Sequence, residues 1–131
     1  MSLGETVLAI EDLPVAAVDL PLWGAKGTFF IKSMTGEERD DYDLECYQRS
    51  TGYDDPVLAT KGVKALLVAL TLVDAQGERV FMTDQAPALA TKSARMLNIA
   101  ADVAMHHNGL TKADIEDLSG NSESGPSDSS G

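Results

Sequence analysis

The chain is poor in cysteine, in aromatic side chains and in positive charge. Its 131 residues include one cysteine and one tryptophan, and aromatic residues make up 5% of the sequence. A single cysteine, Cys46, excludes a disulfide bond within the chain. The opening residues Met-Ser-Leu-Gly-Glu lack the basic segment and apolar run of a secretory signal, so we expect a protein of the reducing cytoplasm.

Basic residues are scarce and dispersed. The chain has 10 Lys and Arg residues against 21 Asp and Glu residues, which gives a formal net charge of −11. Apart from Lys61 and Lys64 the basic residues occur singly, so we expect no face that neutralises a row of phosphates. The charge therefore argues against nucleic-acid binding and favours a soluble, self-repelling chain.

Long hydrophobic runs are absent as well. The longest apolar stretch, residues 63–73, is interrupted by Lys64 and Thr71 and is shorter than the roughly 20 residues that a membrane-spanning helix needs. We therefore expect no membrane association. Within the stretch Leu66 and Leu70 are one helical turn apart, and this spacing predicts a central buried helix over residues 63–73.

The pattern as a whole predicts an α+β fold. Ser2 followed by Glu5 is a capping box, which opens a short first helix ending near Asp12. A β-hairpin follows, with its first strand through Val18 and its second over residues 28–32. The rest is predicted to be mainly helical, with one domain over residues 1–119 and a disordered Ser/Gly/Asp-rich tail over residues 120–131.

An acidic helix follows the hairpin. Thr35 and Glu38 form its capping box, and six of the nine residues at 37–45 are acidic. Acids at a capped helix start are typical of solvated surface rather than of a pair for acid/base catalysis. The apolar stripe of the helix is thin and consists chiefly of Tyr42, Cys46 and Tyr47. Most of the helix should therefore face water or a partner.

Capping signals also mark the later helices. A short strand is expected at residues 79–81, and Thr83 then opens a short helix that Pro87 limits or kinks. Ser93 caps the last long helix, which is expected to end at residues 106–109. The buried face of this helix is predicted to comprise Met96, Leu97, Ala100, Val103 and Ala104.

Few residues could carry chemistry. Asp102 and His106 share a helix face and could begin a divalent-metal site with His107 or Asp114, but a histidine at a helix C-terminus more often complements the helix dipole. Cys46 lies among acids that should raise its pKa, so it is expected to pack rather than react. We therefore expect no enzyme, no bound metal and no cofactor.

Trp23, the only tryptophan, lies in the connection between the two predicted strands. It could serve as a plug over the core, which is the favoured interpretation, or as an anchor for a partner. The acidic helix offers a second surface for a partner. The candidate partner-binding residues are Trp23, Glu37, Asp41, Tyr42 and Glu45.

Five segments in a fixed order resemble the tail assembly chaperones of siphophages and related prophages. They read DLPVAAVDLPLWG, FFIKSMTGEERDDYD, LLVALTLVDAQGERVFMTD, ATKSARMLNIAADVAMHHNGLT and IEDLSGNSESGPS. The order of P-x-W-G, M-T-G-E-E-R-D, L-x-D-x-x-G-x-R-x-F-x-T-D, K-S and N-G-L carries the likeness over nearly the whole chain.

The resemblance implies a protein of the host bacterial cytoplasm that holds the long, helical tape measure protein soluble until tail tube subunits polymerise around it. It also implies departure before the tail matures, and hence absence from the mature virion. In this family a longer form made by programmed ribosomal frameshifting recruits the tail tube protein. The codons UCG-GGA-AAC at Ser119, Gly120 and Asn121 would contain a slippery heptamer, which would make this chain the un-slipped product.

Other interpretations stay open. The residues after Asn121 could be an ordinary frayed terminus. The protein could be a structural tail component, such as a connector or tube subunit retained in the particle, or an acidic DNA-mimic inhibitor. A metal-dependent hydrolase built on Asp102 and His106 is a further alternative, and the oligomeric state is open.

Overall fold

The computed structural model describes residues 2–52, 54–55 and 60–110. The predicted tail at residues 120–131, the proposed frameshift position at Ser119 and the candidate ligand Asp114 lie outside these residues. Within them the fold is α+β, as the sequence predicts: a short N-terminal helix and an antiparallel hairpin precede a mainly helical remainder.

Five α-helices lie in the described part of the chain. They are α1 (Leu3–Ala9), α2 (Gly36–Gly52), α3 (Val63–Thr71), α4 (Ala86–Leu89) and α5 (Ala94–His107). A 3-10 turn over Thr83–Gln85 leads into α4, and Pro87 sits in the first turn of α4, where its missing N–H breaks no helical hydrogen bond. None of these described helices is long and apolar enough to cross a membrane.

The three main predicted caps are confirmed. Ser2 Oγ accepts a hydrogen bond from Glu5 N at 3.1 Å, and Glu5 Oε1 accepts one from Ser2 N at 3.0 Å. Thr35 and Glu38 form the same reciprocal pair at 3.1 and 2.9 Å. Ser93 caps α5 through its side chain. Local hydrogen-bonding chemistry thus sets where α1, α2 and α5 begin.

The predicted hairpin is confirmed. Strands β1 (Val15–Val18) and β2 (Phe29–Lys32) pair antiparallel, with Val15 opposite Lys32. In the described part of the chain a third strand, β3 (Leu72–Val73), follows β2 in the order β1-β2-β3, which leaves β1 at an edge of the sheet. The residues that join the two strands therefore lie at the end of the hairpin opposite to the N-terminal segment.

The helix predicted over residues 63–73 is wrong at its C-terminal end. α3 stops at Thr71, and β3 (Leu72–Val73) pairs antiparallel with β2. The backbone of Leu72 is extended, with φ −78° and ψ 123°. The open edge of β2 supplies backbone hydrogen-bond partners here, so strand pairing overrides the helical spacing of the apolar residues.

The strand expected at residues 79–81 is not formed. Arg79 makes only a single bridge to β3, after a turn in which Asp74 Oδ1 accepts two backbone N–H groups and Gly77 adopts a positive φ of 83°. The Arg79 guanidinium instead donates to the carbonyl of Ala69 at 2.7 Å. It thereby satisfies a carbonyl in the last turn of α3.

The core lies between α3, α5 and the sheet. Every residue of α3 from Ala65 to Thr71 is buried, and α5, α4 and α2 pack against this helix. Val103, predicted on the buried face of α5, is only half-buried, and Ala101 is buried in its place. The buried residues of α5 are Met96, Leu97, Ala100, Ala101 and Ala104.

The end of α5 is fixed to the open end of the hairpin. Asn108 Oδ1 accepts from Met34 N at 2.7 Å, and its Nδ2 donates to Lys32 O at 3.2 Å. The neighbouring His107 Nε2 lies 2.8 Å from Pro14 O. These contacts hold the segment that precedes β1 at a defined place on the fold.

Candidate partner-binding surfaces

The connection between β1 and β2 positions Trp23. The buried Leu20 offers its carbonyl to Trp23 N at 2.9 Å and to Gly24 N at 3.2 Å. A Cβ on Gly24 would lie 3.1 Å from the Phe29 ring, so glycine permits a close approach here. The Trp23 indole meets Phe81 edge to face, with ring centroids 6.4 Å apart. The turn that begins at Leu20 and the contact with the Phe81 ring together fix the position of the indole.

Trp23 also forms a wall of an open apolar cleft, which we call the Trp23 cleft. The cleft has a volume of about 470 Å³, and Leu22 at its margin is 67% exposed. Its lining residues are Leu22, Trp23, Phe29, Val80, Phe81, Gln85, Ala88, Leu89 and Lys92. Because Trp23 both packs against the core and lines this cleft, its roles as plug and as anchor are compatible.

The sequence singles out Trp23 but not the other walls of the cleft. Phe81 follows β3, while Ala88 and Leu89 belong to α4, and each of these segments reads as an ordinary core element in the sequence. The rarity of tryptophan was the one signal that pointed here. Only the folded chain brings the segments together.

Two of the predicted partner residues lie together in a second groove, between α2 and α3. Asp41 and Glu45 line this α2–α3 groove, whose volume is about 280 Å³, together with Leu44 of α2 and Leu70 of α3. No residue of α2 is buried, as the thin apolar stripe predicts. The groove is therefore an exposed surface with acidic and apolar groups side by side.

The remaining predicted partner residues do not join that groove. Glu37 is exposed in the first turn of α2, and Tyr42 packs against the core. Burial raises the pKa of the Tyr42 hydroxyl, and the adjacent Cys46 raises it further. Burial likewise raises the pKa of the Cys46 thiol, which stays protonated at neutral pH and is a poor nucleophile.

Several acids of α2 are already paired with basic residues. The ion pairs are Lys32 Nζ with Glu38 at 2.7 Å, Arg39 Nε with Asp43 at 3.1 Å and Arg49 Nε with Glu45 at 3.2 Å. The N–H of Arg49 Nε does not point at the Glu45 carboxylate, so this third pair is not a hydrogen bond. The charge of Glu45 is thus partly neutralised. Asp41 makes no ion pair within the described part of the chain and offers the less screened carboxylate.

The candidate metal residues form only a loose pair. His106 Nε2 lies 3.7 Å from Asp102 Oδ1, and both side chains are exposed. The His107 imidazole turns instead toward Pro14 O, and Asp114 lies outside the described residues. Across residues 2–52, 54–55 and 60–110 no three His, Cys, Asp or Glu side chains are placed to hold a metal ion.

Helix α1 presents its apolar residues to solvent. The helix ends at Ala9 rather than near Asp12 as predicted, and the backbone of Ile10 is already extended. Pro14 favours extended backbone at Leu13 as well. None of the residues of α1 is buried. Its exposed fractions reach 81% for Leu3, 54% for Val7 and 88% for Leu8, with 56% for Ile10 just beyond. The sequence predicts this apolar face but carries no signal that the face is uncovered.

Comparisons with family models, with curated proteins and with solved structures find no match to this chain. Its functional interpretation therefore depends on the surfaces described above and on the order of its sequence motifs.

Proposed function

We propose that this chain is a non-enzymatic tail assembly chaperone of a siphophage or prophage. In this role it binds the tape measure protein, keeps it soluble and helps to recruit tail tube subunits in the host cytoplasm. It leaves before the virion matures. The observation that carries the proposal is the Trp23 cleft, an open apolar cleft on a chain whose net charge is −11.

The cleft suits apolar side chains from a helical client. Its volume of about 470 Å³ lies within the range of ordinary ligand pockets. Amphipathic helices present apolar anchors at successive turns, and aromatic-walled clefts are common receptors for such anchors. The resemblance implies a long, helical tape measure protein, so several copies of the chaperone could cover one client.

The acidic surface complements this role. A protein that holds a long apolar client must itself resist aggregation, and strong net charge of one sign gives that resistance. The α2–α3 groove adds a place where Asp41 could meet a basic residue of the client beside Leu44 and Leu70. Trp23 and Asp41 thus serve as two separate contacts in the proposal, one apolar and one charged.

Co-expression tests this function. The tape measure gene from the same tail operon would be expressed with and without this chain in bacteria that lack the phage, and its soluble fraction measured. The expected result is a shift of the tape measure protein into the soluble fraction, in complex with this chain. Ala88→Glu, which places a charge in the cleft, should weaken the complex, whereas Ala94→Glu, the same change on an exposed residue at the start of α5, should not.

The position of β1 at an edge of the sheet, within the described part of the chain, favours one alternative, a structural tail component such as a connector or tube subunit. Exposed strand edges commonly pair between subunits, and such a subunit would stay in the finished particle. Mass spectrometry of purified tails separates the two roles, because the chaperone should be absent from them. The acidic DNA-mimic alternative is less favoured, since ion pairs at Glu38, Asp43 and Glu45 interrupt the negative stripe on α2.

A further inference from the structure

We propose that the α2–α3 groove is a recognition site that selects a partner helix with an apolar side chain and a Lys or Arg one helical turn apart. The inference deepens the proposed function and rests on it for its biological role, because it specifies which client segments the groove accepts. It follows from the apolar floor of the groove, the spacing of its acidic wall and its position next to the Trp23 cleft.

The floor of the groove is apolar. Leu66 and Leu70 lie one turn apart on α3, with exposed fractions of 4% and 6%. Leu44 of α2 lines the same groove and is 55% exposed. Covering such a leucine with another apolar side chain is favourable. The volume of about 280 Å³ lies just below the range of ordinary ligand pockets, so the groove suits one or two side chains of a protein partner.

The wall that α2 contributes is acidic at a fixed spacing. Asp41 and Glu45 lie one turn apart, and Leu44 lies between them in the sequence, three residues after Asp41. Asp41 is exposed and makes no ion pair with any other described residue, whereas Glu45 contacts Arg49. Asp41 therefore offers a contact to a cation, and Leu44 offers one to an apolar group. A partner helix meets both at once when its own basic and apolar residues are one turn apart.

The charge around the groove favours a basic partner. Helix α2 carries six acidic residues and two basic ones, a formal charge of −4. An acidic partner helix would bring like charge to this wall. A second copy of this chain is a poor occupant for the same reason, because its exposed helix α1 contains Glu5 and no basic residue. The occupant is therefore a basic amphipathic helix of another protein, which in the proposed function is the tape measure client.

The groove adjoins the Trp23 cleft. Thr83 lines the groove, whereas Phe81 and Gln85, two residues before and after it, line the cleft. The short segment over residues 81–85 thus contributes to both surfaces. A client helix that is held in the cleft has the groove within reach. The apolar cleft then contributes affinity, and the acidic groove contributes selectivity for segments that carry a base beside an apolar residue.

Three labelled helical peptides of about 15 residues, built on one host sequence with a single leucine, test the inference. The first has a lysine four residues after the leucine. The second has the same lysine two residues after the leucine, on another face of the helix, and the third has glutamate in place of the lysine of the first. Fluorescence anisotropy should show that the natural chain binds the first peptide roughly two- to fivefold more tightly than the second, whose charge is the same, and the third most weakly.

Two variants of the full chain assign the preference to the groove. Asp41→Asn should abolish the preference for the first peptide over the second. Asp40→Asn makes the same charge change on an exposed neighbour that does not line the groove, so it should keep the preference. In NMR spectra of the natural chain, the amide shifts caused by the first peptide should centre on Asp41, Leu44 and Leu70.

Four results would each overturn the inference. They are no binding of the first peptide at millimolar concentration, equal affinity for the first two peptides, equal effects of Asp41→Asn and Asp40→Asn, and amide shifts centred away from the groove. In any of these cases the proposed function would still stand if the natural chain keeps the tape measure protein soluble and Ala88→Glu does not.

Discussion

The rings of Trp23 and Phe81 meet edge to face, with their centroids 6.4 Å apart and their planes at 74°. This contact joins the hairpin connection to the segment after β3, and both rings line the apolar cleft. Two residues far apart in the sequence thus shape the candidate binding surface. The candidate function relies on that shape more than on any single charged residue.

Replacing Trp23 by alanine should lower the free energy of unfolding by roughly 1–3 kcal/mol, because a half-buried aromatic side chain loses its packing. Tyr47→Ala is the matched control, since Tyr47 is 65% exposed and its removal should cost less than about 0.5 kcal/mol. Urea denaturation measures both values. Equal losses in the two variants would show that Trp23 does not pack as described.

Asn108→Ala should lower the free energy of unfolding by about 1–3 kcal/mol. The substitution leaves the backbone N–H of Met34 and the carbonyl of Lys32 without their side-chain partner at the end of α5. Asn98→Ala serves as the control, because Asn98 is exposed and its hydrogen bond to Lys64 lies on the surface. Thermal denaturation of both variants should show a clear drop in midpoint for Asn108→Ala alone. A comparable drop for Asn98→Ala would contradict a stabilising role for the Asn108 hydrogen bonds.

Glu38 should make stability depend on pH in the acidic range. Partial burial acts to raise its pKa, but the hydrogen bond and charge of Lys32 and the backbone N–H of Thr35 outweigh burial, so the pKa of Glu38 lies below its ordinary value of 4.5. A carboxylate with a lowered pKa in the folded state stabilises the fold above its unfolded pKa, and this contribution is lost as pH falls through the folded pKa.

Comparing urea midpoints at neutral pH and below pH 4 tests this contribution. In Glu38→Gln the urea midpoint should differ less between the two pH values than it does in the natural chain. Glu37→Gln, on the exposed first turn of α2, should keep the full difference. An unchanged difference in Glu38→Gln would mean that the Lys32 pair contributes nothing.

The proposed chaperone role carries an expectation about gene expression. With its native downstream DNA and an N-terminal tag, the gene should yield a minor longer product that shares residues up to about Asn121 with the main one. Intact-mass measurement of all tagged products checks this expectation. A single species that ends at Gly131 would contradict the frameshift. The apolar cleft would then be the remaining support for the chaperone proposal.

Local chemistry made part of the fold predictable. The starts of α1, α2 and α5 follow from Ser2, Thr35 and Ser93, because a cap and its partner lie within one turn of each other. The end of α3 was not predictable in this way. The apolar spacing continues through Val73, and only the edge of β2 decides that the chain becomes a strand there.

The candidate surfaces were harder to predict than the helices. An apolar stripe such as Leu3 and Val7 looks the same in sequence whether it faces its own core or another molecule. The cleft needs Phe81 and Leu89 beside Trp23, and no local pattern links these residues. The sequence could therefore nominate Trp23 and Asp41, but it could not show that they belong to separate surfaces.

The measurement that tests the central claim most directly is a titration of Trp23 emission with purified helical segments of the tape measure protein. The account predicts a saturable shift to shorter wavelength in the natural chain, which Ala94→Glu retains and Ala88→Glu loses. No change in emission with segments that span the whole tape measure protein would contradict the claim that this cleft holds the client.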